Sequence, residues 1–151
     1  MELTEHCASA LLRKAPAFDV MITAESKGIP LIYEMTRQAG MNRYILARKG
    51  VKVYMTDVLR ADLTSITTQH PQSLYLDGED AAYMRGKRVL IVDDVVSTGE
   101  SLLALENLVT EAGGEIVGRM AVLAEGDAQD RQDLIYLEKL PLFHADGTVL
   151  A

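Results

Sequence analysis

The stretch VLIVDDVVSTGES, residues 89–101, constrains the fold more than any other part of the sequence. It opens with four consecutive apolar residues, so a strand formed here has no polar face to turn toward water. A strand that is buried on both faces is typical of a parallel sheet covered by helices on either side. The stretch therefore predicts an α/β domain in which this segment is the central strand.

Helical and strand patterns alternate along the rest of the chain, as an α/β domain requires. Helices are predicted at 3–14, from Gly28 to Gly40, shortly before Gly86 and at 99–112. Strands are predicted at 18–24, 43–49, 51–55, 73–77, 87–94, 115–125 and 133–137. Residues 56–72 show no sustained period and are expected to form a lid. These elements predict one domain over residues 1–151, with a doubly wound, mostly parallel sheet flanked by helices.

Composition narrows the class of protein. The formal charge of −7 argues against a nucleic-acid surface, which needs clustered Lys and Arg. Cys7 is the single cysteine, so no disulfide within the chain and no thiolate metal cluster is possible. The sequence has no run of 18 apolar residues and no signal-peptide pattern at its start. We expect a cytoplasmic protein with no nucleic-acid or membrane partner.

The acids of the central stretch lie where parallel α/β sheets bind ligands. Asp93 and Asp94 are predicted at the carboxyl end of the strand, and the loop Val95–Gly99 follows them into a helix. The free N–H groups at a helix N-terminus favour a phosphate. Ser97 and Thr98 add hydroxyl donors there. The spacing of Ser97 and Glu100 also fits a capping box, which is the structural alternative for those two residues.

Two carboxylates beside an anion site indicate a ligand of mixed character. A phosphate held by the loop would leave its attached sugar over Asp93 and Asp94. Carboxylates accept strongly from hydroxyl donors such as those of a ribose diol. The stretch therefore predicts a ribose 5-phosphate group.

The same stretch resembles the phosphoribosyl-pyrophosphate (PRPP) signature of type I phosphoribosyltransferases: four apolar residues, two acids, two apolar residues, and a small residue before Thr-Gly. The resemblance implies that Asp93 and Asp94 bind the ribose and, indirectly, Mg²⁺. It implies that the following residues bind the 5′-phosphate: Val95, Val96, Ser97, Thr98, Gly99, Glu100 and Ser101.

Two further segments are similar to the pyrophosphate-binding parts of that family. AESKG (24–28) stands where the family keeps its pyrophosphate loop, which often contains a strained or cis peptide. ARKG (47–50) resembles the Arg-Lys pair with which adenine-type enzymes contact pyrophosphate. The implied pyrophosphate-binding residues are Glu25, Ser26, Lys27, Gly28, Arg48 and Lys49. The implied catalytic residues are Asp93, Asp94, Arg48 and Lys49.

The resemblance spans about residues 8–143 and is greatest to adenine phosphoribosyltransferases. It is carried also by the runs AESKGIP, SITT, LDG, AEGDA and LPLF. Two departures stand out. The chain starts in the first helix, so we expect a shortened hood over the base. The Glu-Tyr-Gly segment of ordinary adenine enzymes is replaced by Leu76-Asp77-Gly78, where Asp77 is a candidate for part of its role, and Arg60 is a candidate lid residue.

The implied function is Mg²⁺-dependent purine salvage, in which PRPP and a base, adenine first, give a nucleoside 5′-monophosphate and pyrophosphate. The family also implies a homodimer. Ser97 stands where hypoxanthine-guanine enzymes place Asp, and residues 56–72 contain no Lys, unlike the lid of orotate enzymes. Two alternatives stay open: transfer to another base such as xanthine or a pyrimidine, and a regulatory domain that binds PRPP or a nucleotide without catalysis.

Overall fold

The computed structural model describes residues 1–63 and 72–150. Seven strands are described, and their bounds are β1 Val20–Ala24, β2 Ile45–Ala47, β3 Leu59–Leu63, β4 Gln72–Leu76, β5 Arg88–Val96, β6 Glu115–Glu125 and β7 Ile135–Leu140. The helices are α1 Glu2–Lys14, α2 Gly28–Gln38, α3 Gly78–Met84 and α4 Glu100–Glu111, and a 3₁₀ helix covers Gly126–Asp130. The prediction of an α/β fold with a mostly parallel sheet is confirmed.

Five strands form one sheet in the order β2-β1-β5-β6-β7, and each neighbouring pair is parallel. From β1 the chain returns through α2 to β2 on one side, whereas from β5 it returns through α4 to β6 on the other. The direction of winding thus reverses between β1 and β5. In open α/β sheets such a reversal opens a crevice beyond the carboxyl ends of the two strands.

The two faces of this sheet carry separate apolar cores. On one face, Leu11 of α1 and Ile32 of α2 pack with Met21, Leu90 and Met120 of the strands. The other face is covered by α4, α3 and the β3–β4 pair, through the buried residues Leu102, Leu105, Leu108, Met84, Leu74 and Leu76. Successive residues of β5 alternate between the two cores, as a strand covered on both faces requires.

The strands β3 and β4 form a separate antiparallel pair that packs on the edge of the main sheet. Arg48, just after β2, exchanges two backbone hydrogen bonds of 2.8 Å with Tyr75 of β4. This bridge places the pair beside the carboxyl ends of β1 and β2. Within residues 1–63 and 72–150, no helix combines the length and apolar character needed to cross a membrane.

The segment 56–72, which was expected to form a lid, contains β3 and the first residue of β4. Three details of the sequence prediction were wrong. Residues 51–55 form no strand, and the strand predicted at 43–49 is limited to Ile45–Ala47. Val95 and Val96 continue β5 and pair with Leu123 and Ala124 of β6, so the phosphate loop predicted from Val95 begins instead at Ser97. The SITT run at 65–68 lies outside the described residues.

Candidate active site

A cleft of about 560 Å³ lies at the carboxyl edge of the sheet, where β1 and β5 meet. Its lining comes from β1 and the loop after it, from the residues after β2, from the β3–β4 pair and from β5 with the start of α4. The residues are Ala24, Glu25, Ser26, Lys27, Lys49, Leu63, Gln72, Ser73, Leu74, Tyr75, Asp93, Asp94, Val95 and Ser101. Eight of the predicted site residues thus line one cleft: Glu25, Ser26, Lys27, Lys49, Asp93, Asp94, Val95 and Ser101.

The acid pair lies within β5, three and two residues before the strand ends at Val96. Oδ1 of Asp93 accepts the backbone N–H of Asp94 at 2.9 Å. Burial, and after it the neighbouring Asp94 carboxyl, raise the pKa of the Asp93 carboxyl to about 7. A donor or a cation in the cleft would favour the ionised form of Asp93, because the charged carboxylate is the better acceptor.

The loop after β1 is tied to the residues after β2 through Glu25. The backbone N–H of Glu25 donates to the Ala47 carbonyl at 2.9 Å, and Oε2 of Glu25 accepts the N–H of Lys49, also at 2.9 Å. The Lys49 N–H, and to a lesser degree the charge of Arg48, hold the pKa of the Glu25 carboxyl below its ordinary value. The Glu25–Ser26 peptide bond is cis. The Glu25 carboxylate therefore binds the backbone of Lys49, and Lys49 lines the cleft.

Gly28 begins α2 beside Thr23 of β1 and Asp93 of β5. A Cβ at this position would lie 2.2 Å from Oγ1 of Thr23 and 3.5 Å from Oδ1 of Asp93. No side chain fits there, so the glycine lets the N-terminus of α2 approach the acid pair. Thr23 itself is fully buried, and its hydroxyl has no hydrogen-bond partner among the described residues.

The loop after β5 turns at Gly99, whose φ of 82° is a conformation that glycine adopts without strain. α4 begins at Glu100, and no side chain caps it. The capping box that the spacing of Ser97 and Glu100 predicted as an alternative is therefore not formed. The N–H groups of the first turn of α4 stay available to an anion.

Nine predicted residues do not belong to the lining formed by the described part of the chain: Gly28, Arg48, Arg60, Asp77, Val96, Ser97, Thr98, Gly99 and Glu100. The Arg48 guanidinium lies 3.7 Å from Oε1 of Glu25. Arg60 is bound to Asp62 at 2.7 Å on the exposed side of β3. Asp77 accepts the N–H of Thr56 at 3.0 Å, beside the start of α3, so its carboxylate holds a turn together.

The sequence prediction missed the contribution of the β3–β4 pair to the cleft. Leu63, Gln72, Ser73, Leu74 and Tyr75 all line it. Their strand patterns were too short to show which face is turned to the sheet edge. The one available signal was the position of SLYL after a polar segment, which predicts a strand but not where it packs.

Comparison with known proteins shows the family to which this chain belongs. The phosphoribosyl transferase domain profile matches residues 3–144. Curated relatives include hypoxanthine/guanine phosphoribosyltransferases of Methanotorris igneus, 32% identical over 111 residues, and Methanococcus voltae, 33% identical over 113 residues. These alignments cover 74% and 75% of this chain and 56% of each relative, so the chain spans about half the length of those relatives.

Solved structures share the fold at lower identity. Adenine phosphoribosyltransferase from Thermoanaerobacter pseudethanolicus superposes with a TM-score of 0.78 at 21% identity, covering 92% of this chain and 81% of the other. Adenine phosphoribosyl transferase from Trypanosoma brucei, solved with AMP, pyrophosphate and ribose-5-phosphate, gives 0.75 at 16% identity and covers 99% and 74%. Both show the same α/β architecture.

The raised pKa of Asp93 predicts a pH-dependent effect of Asp93→Asn on stability. The native carboxyl holds its proton up to about pH 7, whereas the unfolded one ionises near 3.8, so the native state becomes less stable as pH rises between them. The neutral amide removes this loss. We expect the free energy of unfolding of the variant, relative to the parent, to rise by about 1–3 kcal/mol from pH 4 to pH 8.

Urea unfolding at the two pH values measures the difference. Asp19→Asn is the control, because hydrogen bonds from Arg88 lower the pKa of Asp19 from 3.8 to about 2 and its carboxylate is therefore ionised in the native state at both pH values. Its contribution to stability is lost only as the pH falls below that of the test, so the amide variant should be less stable than the parent by nearly the same amount at pH 4 and pH 8. A difference between Asp93→Asn and the parent that is the same at pH 4 and pH 8 would contradict the assignment.

Proposed function

Because the chain belongs to the phosphoribosyl transferase domain family, we propose that it transfers the phosphoribosyl group of PRPP to a purine base and releases pyrophosphate. One observation carries the proposal: two carboxylates, a lysine and the loop before α2 come from distant parts of the chain to one cleft. That combination suits a ligand with hydroxyl donors at its centre and phosphates at both ends. The single domain of residues 1–151 is proposed as the unit that binds it.

Asp93 and Asp94 are the proposed ribose ligands. In this placement each carboxylate accepts from a sugar hydroxyl, and the raised pKa of Asp93 means that the incoming donors draw the carboxyl into its ionised form. The 5′-phosphate then extends to residues 97–101, where the loop and the first turn of α4 offer N–H groups. Val95 lines the cleft from β5, whereas the side chain of Val96 is buried in the core.

Pyrophosphate is the leaving group, and its charge grows as the bond to the sugar C1 breaks. Glu25, Ser26, Lys27 and Lys49 line that side of the cleft. Cations and N–H donors that are already in position stabilise such charge without reorganising. Arg48 would act here through Glu25, which holds the Lys49 backbone, and also as a nearby positive charge.

The cofactor implied by the family is Mg²⁺. Within residues 1–63 and 72–150, no group of three or more His, Cys, Asp or Glu side chains is placed to hold a metal ion. Mg²⁺ is usually bound by one or two carboxylates together with substrate phosphates and several waters, so the pair Asp93 and Asp94 fits an ion that enters with the diphosphate. When bound, the ion supplies positive charge to the departing pyrophosphate.

Water must be kept from the sugar while its C1 carries positive charge. The β3–β4 pair forms one wall of the cleft and contributes Leu63, Leu74 and Tyr75 to its lining. We propose that this wall, and not Arg60 or Asp77, is the part of the described chain that limits access of water. Apolar and aromatic surface suits that role because it offers few partners to a water molecule.

Adenine is the proposed base. Ser97 cannot supply the carboxylate that hypoxanthine-guanine enzymes place at this point of the motif, and the solved structures with the same fold include several adenine enzymes. The curated relatives are named for hypoxanthine and guanine, which makes these two bases the necessary comparison.

A second copy of the chain is the proposed protein partner. The loop after β2 exposes Val51, Val53 and Tyr54 next to Lys49, and Val53 is fully exposed. Apolar side chains grouped on a surface loop mark a contact surface. We expect a homodimer, and sedimentation velocity at two protein concentrations measures its mass.

Removing both carboxylates tests the ribose assignment. Asp93→Asn with Asp94→Asn should weaken PRPP binding by about a hundredfold or more, because two charge-assisted hydrogen bonds are lost. Titration calorimetry gives the affinity. The control carries the same change in net charge at two exposed sites, Glu2→Gln with Glu111→Gln, and should bind as the parent does. Unchanged binding by the Asp variant would remove the ribose from this position.

The base is tested by offering adenine, hypoxanthine, guanine, xanthine, uracil and orotate separately with PRPP and Mg²⁺. We expect pyrophosphate release with adenine, together with an equal amount of AMP. Release with hypoxanthine or guanine alone would keep the reaction class and correct the base. PRPP binding without release in any of the six assays would overturn catalysis and favour a regulatory domain that binds PRPP.

A further inference from the structure

Arg131 lies against the loop that follows β5, although it comes from a different part of the chain. It follows the 3₁₀ helix Gly126–Asp130 and precedes β7. A Cβ on Gly99 would stand 3.1 Å from Nη1 of Arg131, so the edge of the guanidinium touches this glycine. The contact occurs where α4 begins, next to the N–H groups assigned above to a phosphate.

Two acidic side chains, one from the segment before β7 and one from α4, fix the orientation of this guanidinium. Asp133 accepts from Nε at 3.0 Å and from Nη2 at 2.8 Å, and Glu106 of α4 lies 3.6 Å from Nη2. Glu106 is also ion-paired with Arg119 of β6, which lies 3.4 Å from Asp133. A planar guanidinium held on one side by a bidentate carboxylate presents its remaining N–H groups in a fixed direction.

Nη1 is the part of Arg131 that this arrangement leaves unused. It has no hydrogen-bond acceptor among residues 1–63 and 72–150, whereas Nε and Nη2 are both engaged. The side chain is 31% exposed, so an anion can reach it. Two oriented N–H donors with a full positive charge therefore face the Gly99 loop without a protein partner.

The charge balance of the loop favours a cation at this position. Residues 95–101 contain Glu100 and no Lys, Arg or His, and Asp93 and Asp94 precede them. A phosphate held by the loop N–H groups would thus meet several nearby carboxylates. Lys27 and Lys49 line the cleft at its pyrophosphate end, so they are assigned to the other phosphates of PRPP.

Resting on the function proposed above, we propose that Arg131 binds the 5′-phosphate of PRPP from Nη1 across Gly99. Its role is in binding: it stabilises the phosphate that remains on the product and leaves the breaking bond to other groups. Asp133 is the residue that orients it. The expected signature is an effect on ligands that contain the 5′-phosphate and none on pyrophosphate.

Binding of three ligands by four proteins tests this. Ribose 5-phosphate, pyrophosphate with Mg²⁺, and PRPP with Mg²⁺ are titrated calorimetrically into the parent, Arg131→Gln, Arg119→Gln and Lys49→Ala. Loss of a hydrogen bond to a charged group predicts that Arg131→Gln binds ribose 5-phosphate and PRPP about tenfold or more weakly and binds pyrophosphate like the parent. Lys49→Ala should bind pyrophosphate more weakly than the parent and bind ribose 5-phosphate like the parent.

Arg119→Gln separates binding from structure, because Arg119 belongs to the same ion pairs without touching Gly99. It should lower the thermal midpoint as much as Arg131→Gln does and keep the affinity for ribose 5-phosphate. Arg131→Lys retains the charge but not the bidentate contact, so its affinity should fall between those of the parent and Arg131→Gln. The weaker dependence of ribose 5-phosphate binding on salt in Arg131→Gln would report the lost cation.

Each result decides the question. Parent-like affinity of folded Arg131→Gln or Arg131→Lys for ribose 5-phosphate would overturn the assignment of Arg131 and leave the proposed function intact. An equal loss for pyrophosphate and ribose 5-phosphate would overturn it as well, because it would indicate a general disturbance. Failure of the parent to bind PRPP or ribose 5-phosphate would overturn the proposed function and this inference together.

Discussion

The parallel pairing of β1 with β5 is the constraint on which the rest of the structure depends. Val20, Met21 and Ile22 pair with Val89, Leu90 and Ile91, and the chain leaves the two strands in opposite directions. Because of that reversal the loops after β1 and β5 are not covered by a crossover helix, and the space beyond the strands stays open. The cleft, the acid pair and the N-termini of α2 and α4 all take their positions from this pairing.

The cleft has two electrostatic halves because two carboxyl groups meet different surroundings. Asp93 is partly buried beside Asp94, and both circumstances raise the pKa of its carboxyl. A hydrogen-bond donor that enters the cleft favours the ionised carboxylate, which is the better acceptor. The Glu25 carboxylate accepts the backbone N–H of Lys49, and Lys49, which carries a positive charge, lines the cleft. One half thus suits hydroxyl donors or a cation, and the other suits an anion. A sugar that carries a diphosphate combines these requirements in one molecule.

Family membership, fold and base preference rest on different grounds. The domain profile covers nearly the whole chain, whereas the curated relatives are named for hypoxanthine and guanine and the structural neighbours for adenine. One fold therefore accommodates relatives named for different purines, and the base has to be argued from single positions such as Ser97. The Arg131 assignment has a different basis, because it depends on the contact with Gly99 and on the ion pairs of Asp133.

The sequence by itself determined the α/β class, the central strand and the chemistry of its acid pair. Local rules suffice for these features, since apolar runs, glycine positions and the spacing of the motif act over a few residues. They misplaced Val95 and Val96, which lie in β5 because β6 extends alongside them, and they predicted a strand at 51–55 that has no partner strand. Only the tertiary structure decided that Tyr75 lines the cleft, that Asp77 holds a turn and that Arg131 touches Gly99. Those contacts join residues far apart in the chain, and their geometry follows from packing between elements, which no local pattern encodes.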